Sequence, residues 1–383
     1  MFRRLFQWRS VAIAGMSAAL AACAVVPKAP PPPPPSTPQP RPDTLPTDTA
    51  RHRIALLVPM TGENAAVGQS ISNAATMALL DTNAANLRVT TYDTAANAGQ
   101  AAQRAVADGN KLILGPLLSE NIGAVLAHSR AAKIPLISFS NDETAASRDA
   151  YIMGNLPSQS VERSVAYAVG RGVKTFGALV PRGEYGQRAS DALMAATRKA
   201  GASVQAMEAY DRSNSSVTAA ARRLRERSGY GAVLIADGSR MATLAAPVLK
   251  PGGDATQIIG TELWSGEKSV SAAPALSGAW FSAVSDNRFG QFSQSYRRRY
   301  GATPYRIATL GYDAVLLTLR IAREWQPGTT FPTARLSDKD GFLGLDGAFR
   351  FNRSGAIERS LEVREIRGGS VVTVSPAPAR FTP

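Results

Sequence analysis

The stretch 111–141, KLILGPLLSENIGAVLAHSRAAKIPLISFSN, constrains the fold of this chain more than any other. The apolar run 112–114 is typical of a strand that is covered on both faces, and Gly115-Pro116 ends it. Apolar residues then recur at helical spacing, and the run 134–139 predicts a second strand. Because such a βαβ unit requires parallel strands joined by a right-handed crossover, the sequence predicts a parallel α/β sheet.

The same alternation of strands and helices continues on both sides of this stretch. In a first lobe, strands are predicted at 53–58, 87–92, 112–114 and 134–139. The pattern starts afresh after residue 150, and in a second lobe strands are predicted at 175–180, 203–207, 231–236 and 257–260. A crossing strand and two returning helices are predicted at 276–284, 289–300 and 307–324. We therefore predict an α/β fold of two doubly wound, Rossmann-like lobes that a multi-strand hinge joins around a cleft.

Residues 344–366, GLDGAFRFNRSGAIERSLEVREI, predict a hairpin-like segment after the two lobes. Asp346-Gly347 and Ser354-Gly355 are turn dipeptides, and polar and apolar residues alternate between them. Serines at helix starts provide the expected N-caps, Ser119 for the helix of the central unit and Ser158 for the first helix of the second lobe.

The first 23 residues predict a signal peptide followed by a lipid anchor. Arg3 and Arg4 precede an apolar run at 11–22, which is too short to span a bilayer comfortably. The run ends in Leu20-Ala21-Ala22-Cys23, which resembles the bacterial lipobox and implies that Cys23 is lipidated. Ala24 stands where an aspartate would resemble an inner-membrane retention signal. We therefore expect an outer-membrane lipoprotein in the cell envelope of a Gram-negative bacterium, facing the periplasm.

The domain boundaries follow from these patterns. Residues 30–35 are all proline, and this composition predicts an extended polyproline tether that cannot pack a core. The predicted domains are a signal peptide at 1–22, the lipidated Cys23 with its proline-rich tether at 23–50, lobe 1 at 51–157 and 286–330, and lobe 2 at 158–285 and 331–383.

The composition excludes several classes of function. One cysteine and two histidines leave no disulfide framework and no thiolate metal site, so neither a metal nor a cofactor is predicted. An amidase built on Ser119 and Glu120 would lack a nearby histidine base and a nucleophile elbow, so we predict no enzyme. The net charge of +14 favours anionic surfaces. The basic runs 222–227 and 297–299 match no nucleic-acid recognition pattern and are interpreted as solvated helix faces.

Four segments carry a resemblance to a known family: IALLVPMTGENAAVGQ, LILGPLLSE, IPLISFSND and GLDGAFRFNRSG. They resemble the type I periplasmic binding proteins of the leucine/isoleucine/valine-binding class over most of 53–366. The GPLL form of the central turn, with the lipobox and the tether, is more similar to the LppC/LpoA family of penicillin-binding protein activator lipoproteins. That resemblance implies a protein that activates a bifunctional penicillin-binding protein in peptidoglycan biosynthesis. These activators often carry a separate helical-repeat domain, for which no room exists between the tether and Arg53.

The resemblance also implies a ligand cleft between the lobes. In amino-acid-binding relatives, a serine at the position of Ser119 and groups after the next strand hold the carboxylate of the ligand. Ser119, Ser138 and Ser140 are present here, and free N–H groups at a helix N-terminus suit an anion. Asp142, however, stands where those relatives carry a hydroxyl residue, and its carboxylate would repel that of an amino acid.

The opposite lobe offers Tyr185, Asp237 and Glu262 at loop positions. Glu262 is the natural partner for an ammonium group, but it could also be an ordinary solvated surface residue. Ser119 could likewise be a simple N-cap.

Two hypotheses for the function therefore remain. The first is a regulatory lipoprotein whose lobes contact a peptidoglycan synthase, and the second is the solute-binding component of an ABC importer that closes on an amino acid or a similar small molecule. We favour regulation, with no nucleic-acid partner.

Overall fold

The computed structural model describes residues 50–253, 256–378 and 381. The predicted signal peptide, the lipidated Cys23 and the tether up to residue 49 lie outside the described residues. The chain divides into the units Met1–Asp43 and Thr44–Pro383, and the fold described below belongs to the second.

Lobe 1 is a parallel sheet covered by helices. Its elements are β1 (His52–Val58), α1 (Ala65–Asp81), β2 (Leu87–Asp93), α2 (Ala98–Ala107), β3 (Leu112–Leu114), α3 (Ile122–Ser129), β4 (Leu136–Ser138) and β5 (Ala150–Ile152). The five strands lie in the order β2-β1-β3-β4-β5, and every neighbouring pair is parallel. Strands β3 and β4 are completely buried, as continuous apolar runs require. The predicted central βαβ unit is therefore confirmed.

Lobe 2 repeats this architecture. Its elements are α4 (Pro157–Gly170), β6 (Thr175–Pro181), α5 (Glu184–Lys199), β7 (Ser203–Tyr210), α6 (Asn214–Arg227), β8 (Ala232–Ile235), α7 (Ser239–Leu249), β9 (Gln257–Ile259), α8 (Lys268–Ala272) and β10 (Trp280–Ala283). All five of these strands are parallel. The predicted α/β class with two doubly wound lobes is confirmed.

The last part of the chain adds to both lobes. It forms α9 (Phe289–Tyr300), α10 (Thr309–Ala322), β11 (Phe342–Gly344), β12 (Gly347–Phe351), β13 (Ile357–Arg359), β14 (Glu362–Arg367) and β15 (Ser370–Ser375). Strands β11, β12 and β13 form a separate antiparallel sheet. Strand β14 pairs antiparallel with β10, which gives the lobe 2 sheet the order β15-β14-β10-β9-β8-β6-β7.

The predicted lobe 2 boundary is wrong for residues 331–359. The side chains of Phe342, Phe349 and Phe351 lie in the same apolar core as α10 and the lobe 1 strands. Ile152 of β5 also forms a parallel bridge with Ala356. The small sheet therefore belongs to lobe 1, because its aromatic face is buried there, and only β14 and β15 of the predicted segment extend lobe 2.

The two predicted serine caps are also wrong. Ser119 begins a short 3-10 turn that precedes α3, and Leu118 occupies the N-cap position of that turn. Helix α4 begins at Pro157 with Leu156 as its N-cap, two residues before the predicted N-cap Ser158. Proline fixes a helical φ and has no N–H to satisfy, so it is favoured as the first residue of a helix.

The hinge between the lobes is built on buried charge. Within the described residues the chain crosses between the lobes three times, at 153–156, 284–288 and 360–361. Arg306 reaches Asp346 at 2.7 Å and Asp286 at 3.3 Å. Arg364 of β14 contacts the same Asp286, so one aspartate joins the two arginines. An ion-pair network at the hinge therefore joins Arg306 before α10 to the β11–β12 turn, and both to the crossing segment 284–288 and to β14.

Asp313 of α10 anchors the β11–β12 turn to lobe 1. Its fully buried carboxylate accepts the N–H groups of Leu345 at 2.6 Å and Asp346 at 3.4 Å. Burial and the neighbouring charge of Asp346 raise the pKa of Asp313. A Cβ on Gly344 would lie 2.3 Å from this carboxylate, which explains why glycine occupies that position.

Candidate functional site

A cavity of about 430 Å³ lies between the two lobes. Lobe 1 contributes its apolar wall, which consists of Val67, Leu117, Leu118, Phe139 and Ile307. Lobe 2 contributes Glu262, Leu263, Ser265 and Glu267. Since Leu117 follows β3, Phe139 follows β4 and Glu262 follows β9, the cavity lies at the carboxyl ends of both sheets, where open α/β sheets bind ligands. We call it the cleft cavity.

Two of the three serines predicted to hold a carboxylate, Ser138 and Ser140, form hydrogen bonds within the protein. The buried Ser138 donates its hydroxyl to the carbonyl oxygen of Pro116 at 2.8 Å and accepts the N–H of Ser140 at 3.1 Å. The buried Ser140 accepts the N–H of Asp142 at 3.1 Å. Ser119 is half-buried and does not line the cleft cavity. Ser138 and Ser140 therefore shape the loop after β4.

Asp142 has a protein partner across the cleft. Its Oδ2 accepts Arg188 Nη2 of α5 at 2.9 Å, and the neighbouring Asn141 Oδ1 accepts Arg188 Nη1 at 3.0 Å. Glu184 of lobe 2 holds the same guanidinium at 2.7 Å. The side chains of Arg188 and Asp142 are only 19% and 16% exposed, so solvent screens this pair less than an open surface pair. We call this contact between the lobes the Arg188 latch.

Of the lobe 2 residues predicted at the cleft, Glu262 lines the cleft cavity and Asp237 does not. Tyr185 donates its hydroxyl to Glu262 Oε1 at 2.9 Å, whereas Glu262 Oε2 is buried and has no partner in the described part of the chain. Burial raises the pKa of Glu262 to about 7. Glu262 is therefore a half-buried residue in the wall of the cleft cavity, with one buried carboxylate oxygen. Asp237 instead accepts Tyr210 and Arg212 within lobe 2 and does not line the cavity.

A buried tryptophan positions the turn that carries Glu262 and Leu263. The Trp264 side chain is 1% exposed, and its Nε1 donates to the carbonyl oxygen of Asp237 at 2.9 Å. A Cβ on Gly260 would lie 2.2 Å from the ring, so glycine leaves the space that the ring fills. The ring thus fixes one end of the turn in the lobe 2 core.

The sequence interpretation missed Arg188 and two residues that line the cleft cavity, Leu263 and Arg306. Arg188 follows Glu184 by one helical turn near the start of α5, and Asp142 had already marked an unexplained acid on the opposite lobe. An acid at a cleft edge is a signal to search the facing lobe for a cation. Leu263 and Arg306 carried no comparable signal, because their places depend on how the lobes meet.

Two kinds of feature are absent from the described residues. They contain no group of three histidine, cysteine, aspartate or glutamate side chains that could hold a metal ion. No helix among them has both the length and the apolar character needed to cross a bilayer.

A family model described as "Periplasmic binding protein" matches residues 52–369. The chain belongs to the periplasmic binding protein family. This membership fits a periplasmic or cell-envelope location. An uncharacterised protein of Rickettsia prowazekii is 30% identical over 173 residues, which is 45% of this chain. The match spans 46% of that relative, so the chain covers about half of its length.

Solved structures share the fold of this periplasmic binding protein. A putative branched-chain amino acid ABC transporter protein of Rhodospirillum rubrum has a TM-score of 0.74 and 21% identity, covering 85% of this chain and 100% of that one. A solute-binding protein of an ABC transporter from Rhodopseudomonas palustris, in complex with 3,4-dihydroxybenzoic acid, has a TM-score of 0.70 and 18% identity. The match covers 87% of this chain and 99% of that one. A leucine-binding protein of Thermotoga maritima has a TM-score of 0.66 and 18% identity, and the match covers 85% of this chain and 99% of that one. These neighbours support the predicted type I binding-protein fold and its leucine-binding-protein-like class.

Removing the Arg188 latch should open this periplasmic binding protein. We expect Arg188→Ala to lower the free energy of unfolding by about 1–2 kcal/mol, because charge-assisted hydrogen bonds between the lobes are lost. Small-angle X-ray scattering should show a larger radius of gyration. Arg182→Ala is the matched control, since the exposed Arg182 pairs with Asp211 in its own lobe and with no other acid among the described residues. Equal radii for the two variants would contradict the latch.

The buried carboxyl of Glu262 should make stability depend on pH. Its pKa is about 7 in the folded protein against 4.5 as the ordinary value, so the folded state holds the proton more tightly. The contribution of Glu262 to stability is therefore present below about pH 4.5 and is lost as the pH rises to about 7. The glutamine variant stays neutral, so the free energy of unfolding of Glu262→Gln should rise by about 1–3 kcal/mol relative to that of wild type as the pH increases between these limits. Urea unfolding across this pH range measures the difference. Glu226→Gln, at an exposed position, is the control. If the free energies of unfolding of wild type and Glu262→Gln change with pH in parallel, the assignment is contradicted.

Proposed function

We propose that this periplasmic binding protein is a lipid-anchored regulator that activates a peptidoglycan synthase, a bifunctional penicillin-binding protein, and that it is not an enzyme. The observation that carries the proposal is the Arg188 latch. Asp142 and Arg188 join the lobes through side chains of the protein itself, whereas a solute carrier needs its ligand to favour the closed state.

The groups expected to recognise an amino acid support the same proposal. Ser138 and Ser140 satisfy backbone groups, and Asp142 is neutralised by Arg188. A zwitterion entering the cleft cavity would therefore find Glu262 for its ammonium group but none of these predicted partners for its carboxylate. Arg306 also lines the cavity, but its guanidinium is already paired with Asp286 and Asp346. A ligand carboxylate would compete with these two protein carboxylates, which disfavours amino-acid binding.

A partner protein fits the remaining features. Lobes that stay closed without a solute present one constant outer surface, which suits recognition by a protein. The resemblance of the GPLL turn, Cys23 and the tether to activator lipoproteins supplies the class of partner, a synthase in the periplasm reached from the outer membrane. Leu117 and Leu118 of that turn line the cleft cavity, so the motif contributes to the interlobe wall.

Solute capture is the second candidate, and the cleft cavity is the observation that favours it. A volume of about 430 Å³ is in the range of small-molecule sites. Its apolar wall and the unpartnered Oε2 of Glu262 would suit a molecule with an apolar body and one cationic or hydrogen-bond-donating group. An ABC importer would then be the partner, as the names of the structural neighbours suggest for those proteins.

The deciding experiment compares the two functions in one preparation. The mature chain is tested for capture of bifunctional penicillin-binding proteins and for faster glycan polymerisation by the captured synthase. Calorimetry against a panel of amino acids and small amines runs in parallel. The proposal predicts capture and faster polymerisation without a solute. Micromolar binding of one solute that raises the melting temperature, with no effect on any synthase, would replace regulation by solute capture.

A further inference from the structure

A second cavity lies beside helix α4 and is separate from the cleft cavity. It has a volume of about 670 Å³ and shares no lining residue with the cleft cavity. Its walls come from α4, from the β12–β13 hairpin and from the crossing segment that follows it, with Phe381 at one side. We call it the α4 groove. It contacts both lobes, since α4 belongs to lobe 2 and β12 and β13 belong to lobe 1.

Arg359 is the residue of this groove that most needs a partner. It is only 7% exposed, and its Nη2 donates to the carbonyl oxygen of Met153 at 2.9 Å. Its Nε and Nη1 are buried and have no partner among the described residues. Asp313 and Asp346 act on Arg359 only through space. A buried guanidinium with unsatisfied N–H groups is costly, so this site is incomplete without an acceptor.

A second arginine of the groove also lacks a carboxylate. Arg163 of α4 donates to the carbonyl oxygen of Leu361 at 3.2 Å and to Ser375 Oγ at 2.5 Å, but it forms no ion pair in the described part of the chain. The third arginine, Arg350, is already paired with Glu358 at 2.6 Å. Three glutamates, Glu143, Glu162 and Glu358, also line the groove, so its formal charges balance. Glu358 is paired with Arg350 and Glu162 with Lys199, which leaves two arginines of the wall without an acidic partner among the described residues.

The first turn of α4 adds neutral donors to the same groove. This helix has 14 residues, and no side chain caps its N-terminus. Ser158 lies in the first turn and lines the groove, and its buried hydroxyl has no hydrogen-bond partner in the described residues. Free N–H groups and the positive end of the helix dipole favour an anion at this position.

We propose that the α4 groove binds a small ligand through an anionic group, a carboxylate or a phosphate. Arg359 and Arg163 take the charge, Ser158 and the first turn of α4 donate the remaining hydrogen bonds, and Leu361 and Phe381 offer an apolar wall for the body of the ligand. This site goes beyond the proposed function, because it needs neither the cleft cavity nor a synthase. A ligand here would touch both lobes next to the hinge.

The test uses the mature chain that begins at Cys23, in detergent and at constant ionic strength adjusted with sodium chloride. Sodium phosphate and sodium benzoate are titrated separately, and the melting temperature and the arginine Nε–H resonances are followed. We expect at least one of the two anions to shift both the melting temperature and the arginine Nε–H resonances in a saturable way. Saturation by phosphate alone identifies a phosphate site, and saturation by benzoate alone identifies a carboxylate site.

Matched variants keep the proposal falsifiable. Ser158→Ala and Arg163→Gln should weaken the affinity by about tenfold, since each removes one hydrogen bond to a charged group. Arg171→Gln, at the opposite end of α4, should bind as wild type does. Because Arg359→Gln risks unfolding the chain, Arg359→Lys is used, and it should bind more weakly because it loses the fork of N–H groups. The proposal is overturned if neither anion exceeds the response to sodium chloride, or if Ser158→Ala and Arg163→Gln bind as tightly as wild type.

Discussion

Replacing Asp313 by alanine is expected to lower the free energy of unfolding by about 3–5 kcal/mol, because the substitution removes one partner of a buried charged network. The N–H groups of Leu345 and Asp346 would lose their acceptor, and Arg306 and Arg359 would lose part of their compensating charge. Urea unfolding of the variant beside wild type measures the loss.

The control for this prediction is Asp191→Ala. Asp191 lies on α5, and its contact with Gln187 is exposed, so we expect a change of no more than about 0.5 kcal/mol. If Asp313→Ala also unfolds within about 1 kcal/mol of wild type, Asp313 does not hold the β11–β12 turn against lobe 1, and the hinge must depend on other contacts.

The second large effect is expected at Trp264. Trp264→Ala should lower the free energy of unfolding by about 3–5 kcal/mol. The substitution leaves a cavity at a fully buried site and removes the hydrogen bond to the carbonyl oxygen of Asp237. The turn with Glu262 and Leu263 would lose its anchor as well, so the pH dependence attributed to Glu262 should weaken in this variant.

Trp280→Ala is the matched control for that substitution. Trp280 is only half-buried, at the edge of the lobe 2 core, where it packs edge-to-face against Tyr167 at 5.0 Å. A tryptophan is removed in both cases, but a smaller cavity remains here, so we expect a clearly smaller loss. Equal losses in the two variants would mean that Trp264 has no special role under the cleft.

The fold was predictable where burial leaves a local signature. The apolar runs of β3 and β4 identify strands covered on both faces, and the turn dipeptide at Asp346-Gly347 marks the β11–β12 hairpin. The lobe that hosts this hairpin was not predictable. Phe342 and Phe349 require an apolar surface, but nothing in their own segment says which lobe provides it.

The candidate site was predictable only in part, for the same reason. Glu262 follows a lobe 2 strand, a position that the sequence reveals, and it lines the cleft cavity. The pairing of Asp142 with Arg188 joins residues 46 positions apart on different lobes, so no local pattern reveals it. Ser138 and Ser140 kept the residue type of a ligand site while their hydroxyls turned to backbone groups, a difference that only coordinates display.

The central claim is that the lobes are closed by their own contacts and not by a solute. Distance measurement by pulsed electron paramagnetic resonance tests it most directly, with spin labels at the exposed positions Glu63 and Lys268 on the two lobes and with Cys23→Ser to remove the native cysteine. The account predicts one short distance in the solute-free protein, unchanged by amino acids and lengthened by Arg188→Ala. A long distance that shortens when leucine or another amino acid is added would contradict it.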